Sequence, residues 1–164
     1  MKLVHLISEV NPSQLKIYVD MDGVLVDFDK QITHYNLDKY DKGNSKIWLI
    51  IRRIGPKFWS TMKWMPDGRT LWNALKPYKP TILSAPPIPK DAVATEGKSE
   101  WVKRELGGVP YIIEKRKELY AKPNAILIDD MVKNVDKWRQ AGGIAILHKN
   151  TASTLRQLGD LLNK

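Results

Sequence analysis

Apolar residues along this chain recur with two periods. Four short runs rich in aliphatic and β-branched residues predict strands buried on both faces: Lys16–Asp20 (KIYVD), Pro80–Ser84 (PTILS), Ala125–Asp129 (AILID) and Ile144–His148 (IAILH). Tyr111–Glu114 (YIIE) is a weaker fifth. Between them the spacing turns helical. Asp67–Leu75 carries Leu71, Trp72 and Leu75; Glu96–Leu106 carries Trp101, Val102 and Leu106 and stops at Gly107-Gly108. Val132–Ala141 carries Val135 and Trp138 before Gly142-Gly143, and Thr151–Leu162 carries Leu155, Leu158, Leu161 and Leu162. Buried strands alternating with helices predict an α/β fold, a three-layer α/β/α Rossmann-like arrangement around a mainly parallel sheet.

One stretch interrupts the alternation. Between the first strand and Pro80 no convincing strand occurs, but aromatics crowd in: Phe28, Tyr35, Tyr40, Trp48, Phe58, Trp59, Trp64 and Trp72. Short helices are expected around Lys30–Tyr40 and Ser45–Ile54. In a doubly wound sheet an insertion after strand one lies over the carboxyl ends of the strands, where such folds bind ligands. The expectation is a single domain over 1–164, with a small helical cap over about 29–78.

Composition narrows the chemistry. No cysteine is present, which removes disulfides, thiolate metal sites and thiol nucleophiles. His5, His34 and His148 lack metal-ligand spacing, so zinc is not expected. The opening segment MKLVHLISEVNPSQ is broken by Glu9 and lacks a cleavage site, and no apolar run has membrane-spanning length. A soluble cytoplasmic protein is expected, with Met1–Leu15 an edge element or a docking segment. Lys and Arg exceed Asp and Glu by 27 to 18, a net charge of +9 that favours anionic partners. Scattered basic residues more often serve solubility, so charge alone does not name the ligand.

The chemistry concentrates at strand ends. KIYVDMDGVLVDFD sets Asp20, Asp22, Asp27 and Asp29 within ten positions. Asp20 and Asp22 project from the same side of an extended backbone, and two carboxylates about 5 Å apart repel by roughly 3 kcal/mol at an effective dielectric near 20. That repulsion calls for a counter-ion or a raised pKa. The second strand ends in Ser84 and the fourth in Asp129-Asp130, preceded by the basic run Lys115-Arg116-Lys117. In a parallel sheet these ends converge, offering oxygen ligands for a hard cation such as Mg²⁺ and Lys and Ser donors for a phosphate.

In this order, DMDGVLVDF, ILS at Ile82–Ser84, a lysine within EKRKELYA and LIDD at Leu127–Asp130 resemble the four motifs of the haloacid dehalogenase (HAD) superfamily of phosphotransferases. The resemblance covers Lys16 to about His148. Within that superfamily FWSTMKWMPDGRTLWNALK and GKSEWVKRELG, with Lys98 and Trp101 on its K-x-x-W-V pattern, look most like the 5'(3')-deoxyribonucleotidase branch.

The resemblance implies roles. Asp20 attacks phosphorus to give an aspartyl-phosphate, and Asp22 protonates the leaving oxygen and then activates water. Mg²⁺ is held by Asp20, the Asp22 backbone carbonyl and Asp129, with Asp130 nearby or binding through water. Ser84, the backbone at Ala85 and a lysine grip the phosphoryl oxygens; Lys117 fits the pattern best and Lys115 is the runner-up. Phe28 is placed facing substrate, with Phe58, Trp59 and Trp48 divided between core and ligand contact. Lys98 is expected on a helix surface, with the rim of the site as the alternative. Asp27 is expected to tie down the loop after Asp20, Asp29 to be solvated or to cap a helix, and Asp130 to add a cap before Val132. Trp72, Trp101 and Trp138 are expected to be packing residues.

Simpler readings compete. An Asp-Gly turn at a strand end explains Asp22-Gly23 but not the distant LIDD. An EF-hand fails because its glycine comes too early and Gln31 stands where Glu is needed. The sequence therefore points to a Mg²⁺-dependent phosphomonoesterase acting on a small phosphate ester, a nucleoside monophosphate first. The rivals are a phosphatase of 3'- or 5'-phosphorylated polynucleotide ends and a non-catalytic nucleic-acid-binding module. Oligomeric state is left open.

Overall fold

A computed structural model describes residues 14–163. All of Met1–Leu15 except Gln14 and Leu15 lies outside the described residues, as does His5. Five strands, β1 (Lys16–Val19), β2 (Thr81–Ser84), β3 (Tyr111–Ile113), β4 (Ala125–Asp129) and β5 (Ile144–Leu147), form one sheet in the order β3-β2-β1-β4-β5. Every pairing is parallel, as buried runs without alternation require. Among the described residues seven α-helices accompany them: α1 (Phe28–His34), α2 (Ser45–Ile54), α3 (Pro56–Ser60), α4 (Gly68–Leu75), α5 (Ala92–Leu106), α6 (Val132–Gln140) and α7 (Thr151–Leu162).

The two faces of the sheet are separated by strand alternation. Ile17, Val19, Ile82, Ile126, Ile128, Ile144 and Ile146 point to one side, where they join Leu71, Trp101 and Leu158 of α4, α5 and α7 in the larger core. Leu83, Ala125, Leu127 and Ala145 point to the other and meet Val135 and Trp138 of α6. Trp101 and Trp138 are fully buried and Trp72 nearly so, and all three are packing residues as expected.

Helices α1 to α4 fill the interval between β1 and β2. Their aromatics are mostly inward. Gln31, buried in α1, donates from Nε2 to the Phe58 carbonyl at 2.6 Å and to Thr61 Oγ1 at 2.9 Å, which fastens α1 to α3. Helix α3 lies against α5, where Trp101 Nε1 donates to the Met62 carbonyl (2.9 Å) and Arg104 to the Ser60 carbonyl (2.6 Å). The approach is close because Gly97 of α5 faces Pro56 and Trp59, where a Cβ would collide with the Pro56 carbonyl. Helix α5 begins at Ala92, one turn earlier than periodicity suggests, because Asp91 accepts from the amides of Val93 and Ala94 and caps it.

At β1 the chain finds partners on both sides: β2 and β3 extend the sheet one way, β4 and β5 the other. This switch point leaves a crevice beyond the carboxyl ends of β1 and β4.

Candidate active site

The loop after β1 shapes the crevice. The Met21 carbonyl accepts from the amides of Val24, Leu25 and Val26, and Gly23 N donates to the Val26 carbonyl at 2.9 Å. Gly23 takes φ +78°, and Asp130 lies against its Cα so closely that a side chain would displace that carboxylate. The tight turn thus brings Asp20, Asp22 and Asp130 to one place. Asp27 closes it, accepting from the Lys30 amide at 2.9 Å as the N-cap of α1. The expected tie to the loop after Asp20 is corrected to this helix cap, because the loop is held by its own backbone bonds. Asp29 is solvated, one of its two expected states, and forms an exposed ion pair with Lys42.

Two buried lysines organise the acids. Lys117, 2% exposed, places Nζ 2.7 Å from Asp20 Oδ1 and 2.6 Å from Asp129 Oδ2. Asp129 is fully buried at the end of β4. It also accepts from the Met131 amide (2.9 Å) and, at both oxygens, from Asn134 Nδ2 (3.2 and 3.0 Å). Asp129 therefore makes the contact at the start of α6 that was expected of Asp130.

Lys98 departs most from expectation. It is 0% exposed, and its Nζ donates to Asp22 Oδ2 at 2.6 Å, Ser84 Oγ at 2.9 Å and the Ala85 carbonyl at 2.8 Å. The Trp59 ring covers the same ammonium, its centroid 4.9 Å away. A surface position is thus corrected to a fully enclosed one. Helical spacing identifies this face as buried through Trp101 and Val102, but not that an amine would point from it toward an acid.

Charge and burial set the protonation equilibria. Burial pushes the Asp20 carboxyl up to about 7; Lys117 opposes this, while Asp129 and Asp22 reinforce it. Burial works against the Lys117 ammonium, but Asp20 and then Asp129 outweigh it and leave its pKa raised. Partial withdrawal from water, followed by the Asp129 charge, raises Asp130 to about 6.

Asp20, Asp129 and Asp130 each offer a carboxylate oxygen within 4.8 Å of the others. Three hard oxygen donors gathered this closely form a set suited to a small divalent cation. The open cleft beside them holds about 510 Å³. Asp20, Asp22, Phe28, Ala85, Lys117 and Asp130 line it, together with Asp29, Lys42, Met65, Met131 and Asn134.

Other expected site residues lie elsewhere. Lys115 donates to the Pro87 carbonyl at 3.1 Å and does not line the cleft. Ser84 is 0% exposed, its oxygen accepting from Lys98 behind the cleft wall, so Ala85 is the residue there that reaches the opening. Phe58 and Trp59 are buried, packed beneath Phe28 with centroids 5.9 and 5.8 Å from its ring. They pack behind Phe28 and do not line this cleft. Trp48 also stacks on Phe28, with ring centroids 6.3 Å apart. Asn134 was not anticipated; its only signal is a polar side chain in the first turn of the helix after Asp129-Asp130.

No protein-family model matches the chain, and no curated protein does. Solved structures do match. A HAD-superfamily hydrolase from Ehrlichia chaffeensis aligns over 90% of this chain and 97% of its own, with 12% identity and a TM-score of 0.50. The L-2-haloacid dehalogenase from Xanthobacter autotrophicus, with chloropropionic acid covalently bound, aligns over 89% and 83%, with 11% identity and a TM-score of 0.52. A family IA, variant 3 HAD hydrolase from Entamoeba histolytica aligns over 92% and 100%, with 12% identity and a TM-score of 0.51. The chain has the Rossmann-like α/β fold of HAD hydrolases, as its motifs led one to expect. Among the described residues no helix is long and apolar enough to cross a membrane.

Proposed function

We propose that the protein is a Mg²⁺-dependent phosphomonoesterase that acts through an aspartyl-phosphate on Asp20, with a nucleoside monophosphate as its first substrate. The supporting observation is the junction of Asp20, Lys117 and Asp129 at the carboxyl edge of the sheet, with Asp22 on the next turn of backbone. Two of the solved neighbours are named HAD hydrolases, and a third, named a haloacid dehalogenase, carries a covalently bound acid, which agrees with a covalent route on this fold.

Asp20 attacks phosphorus as the ester oxygen leaves and takes a proton from Asp22. Water then attacks the aspartyl-phosphate and gives its proton to Asp22, and the Asp20 carboxylate is restored with release of phosphate. Lys117 spends two of its three N–H bonds on Asp20 and Asp129, leaving one for a phosphoryl oxygen. The Ala85 backbone borders the same space. Asp20, Asp129 and Asp130, with the Asp22 carbonyl, would hold Mg²⁺, which neutralises charge on the transferring phosphoryl group when bound.

Asp27 and Asp29 border the cleft mouth beside Phe28, Met65 and Met131. Lys42 lines the cleft as well and pairs with Asp29, while the apolar surface suits a base or another flat, neutral leaving group. That surface supports a mononucleotide as the first substrate, and the net charge of +9 keeps a polynucleotide end as the alternative. The test is hydrolysis, with Mg²⁺, of deoxy- and ribonucleoside 5'- and 3'-monophosphates, sugar phosphates, an aryl phosphate and short phosphorylated oligonucleotides. Mononucleotides should be preferred, and Asp20→Asn should abolish turnover. Inertness toward every ester overturns the reading, and a salt-sensitive preference for oligonucleotides replaces its substrate.

A further inference from the structure

We infer that Lys98 is a positioning residue that clamps Oδ2 of Asp22 and so reserves Oδ1 as the oxygen that gives and takes the proton. The inference rests on the phosphatase reading and assigns a task within it to a residue outside the four motifs.

Three observations carry it. First, Asp22 is divided: Oδ2 accepts from Lys98 at 2.6 Å, whereas Oδ1 is buried with no hydrogen-bond partner among the described residues. A buried acceptor left unpaired is costly, so its persistence marks an atom that awaits a donor. An attacking water is such a donor, and a protonated Oδ1 in turn donates to the ester oxygen as it leaves.

Second, the ammonium of Lys98 has three N–H bonds, and Asp22, Ser84 and the Ala85 carbonyl use all three. With the Trp59 ring beside it and no solvent exposure, Lys98 has nothing left to offer a phosphate. It is a bracket, unlike Lys117, which lines the cleft.

Third, the bracket is anchored to rigid elements. Lys98 stands on α5, one residue from the close contact of Gly97 with Pro56 and Trp59, and it joins the end of β2 to the loop after β1. An N–H from Lys98 to Oδ2 can persist whether or not Oδ1 carries the proton, so the same geometry serves both half-reactions. In the first, the P–O bond to the leaving group breaks, its electron pair stays on that oxygen, and the proton from Oδ1 joins it. In the second, Oδ1 takes the proton from water as the new P–O bond forms and the bond to Asp20 breaks.

The experiment compares leaving groups. A nucleoside oxygen needs a proton as it departs, whereas p-nitrophenolate does not, and kcat/KM reports this first half-reaction. In Lys98→Met, kcat/KM for a nucleoside monophosphate should fall about tenfold or more, a part of what a general acid contributes, while that for p-nitrophenyl phosphate changes less than about threefold. A burst of p-nitrophenolate should appear, because water attack, which still needs Oδ1 correctly placed, becomes slow. Ser84→Ala removes one anchor of the amine without emptying its pocket. It should show the same bias to a smaller degree, and it stands as the test if Lys98→Met does not fold. Equal losses on both esters, or none, overturn the clamp and leave the phosphatase reading intact. A wild-type protein inert toward both overturns the two together.

Discussion

Lys117 and Asp20 form an ion pair of 2.7 Å in which both residues are almost sealed from water. Its partner pair to Asp129 makes a buried triad of two acids and one base. Replacing Lys117 by Met leaves two carboxylates facing each other without a counter-charge. Breaking a buried pair in this way costs about 3–5 kcal/mol. Urea unfolding at neutral pH without metal should show that loss. Asp129→Asn in the Lys117→Met background should recover part of it.

The same acids predict a metal effect separable from catalysis. If Asp20, Asp129 and Asp130 hold Mg²⁺, the ion binds the folded state alone and raises its stability by about 2.7 kcal/mol at a hundred times its dissociation constant. Thermal unfolding should shift upward and saturate with Mg²⁺, and chelation should reverse it. Asp129→Asn should flatten the titration.

His148 provides a second pH dependence, through a side chain held in the core beside α7. Its Nδ1 lies 2.8 Å from Thr154 Oγ1 in the core, and burial lowers its pKa below the ordinary 6.5, with Asp67 opposing in part. The folded state therefore binds fewer protons than the unfolded chain as pH falls through 6.5. Stability is full above that value and declines below it until the folded-state pKa is passed. Asp20 and Asp130, raised to about 7 and about 6, act in the opposite sense over this range, so the His148 contribution is read by difference: from pH 8 down to pH 5 the urea midpoint of His148→Gln should rise relative to that of the wild type.

Two glycines in helices should respond in opposite directions. At Gly97 a methyl group meets the Pro56 carbonyl and Trp59, so Gly97→Ala should force α3 and α5 apart at a cost of about 1–3 kcal/mol. At Gly159 of α7 nothing lies nearby, and Gly159→Ala should stabilise by about 0.5–1 kcal/mol. Chemical denaturation of both variants checks the pair.

The sheet was legible because parallel strands buried on both faces leave unbroken aliphatic runs; even the weak YIIE segment is a strand. Asp20 and Asp129 were legible because each ends such a run. The short helix α3 was missed: five residues cannot display a helical period, and only Pro56 at its start marks it. Phe58 and Trp59 were ambiguous for a related reason, since an aromatic ring suits a core and a ligand wall equally. Lys98 was hidden by its chemistry. An amine is ordinarily placed in water, and its burial becomes favourable only when three acceptors from β2 and the loop after β1 meet it, a condition no local pattern records.

The Trp59 ring lies at once under Phe28, at the cleft wall, and over the Lys98 ammonium. The surface that would choose a substrate and the bracket that would aim the proton are therefore one packed unit. Remodelling the aromatic layer to admit a different ester disturbs the timing of the chemistry as well, so selectivity and speed in this protein cannot be tuned independently.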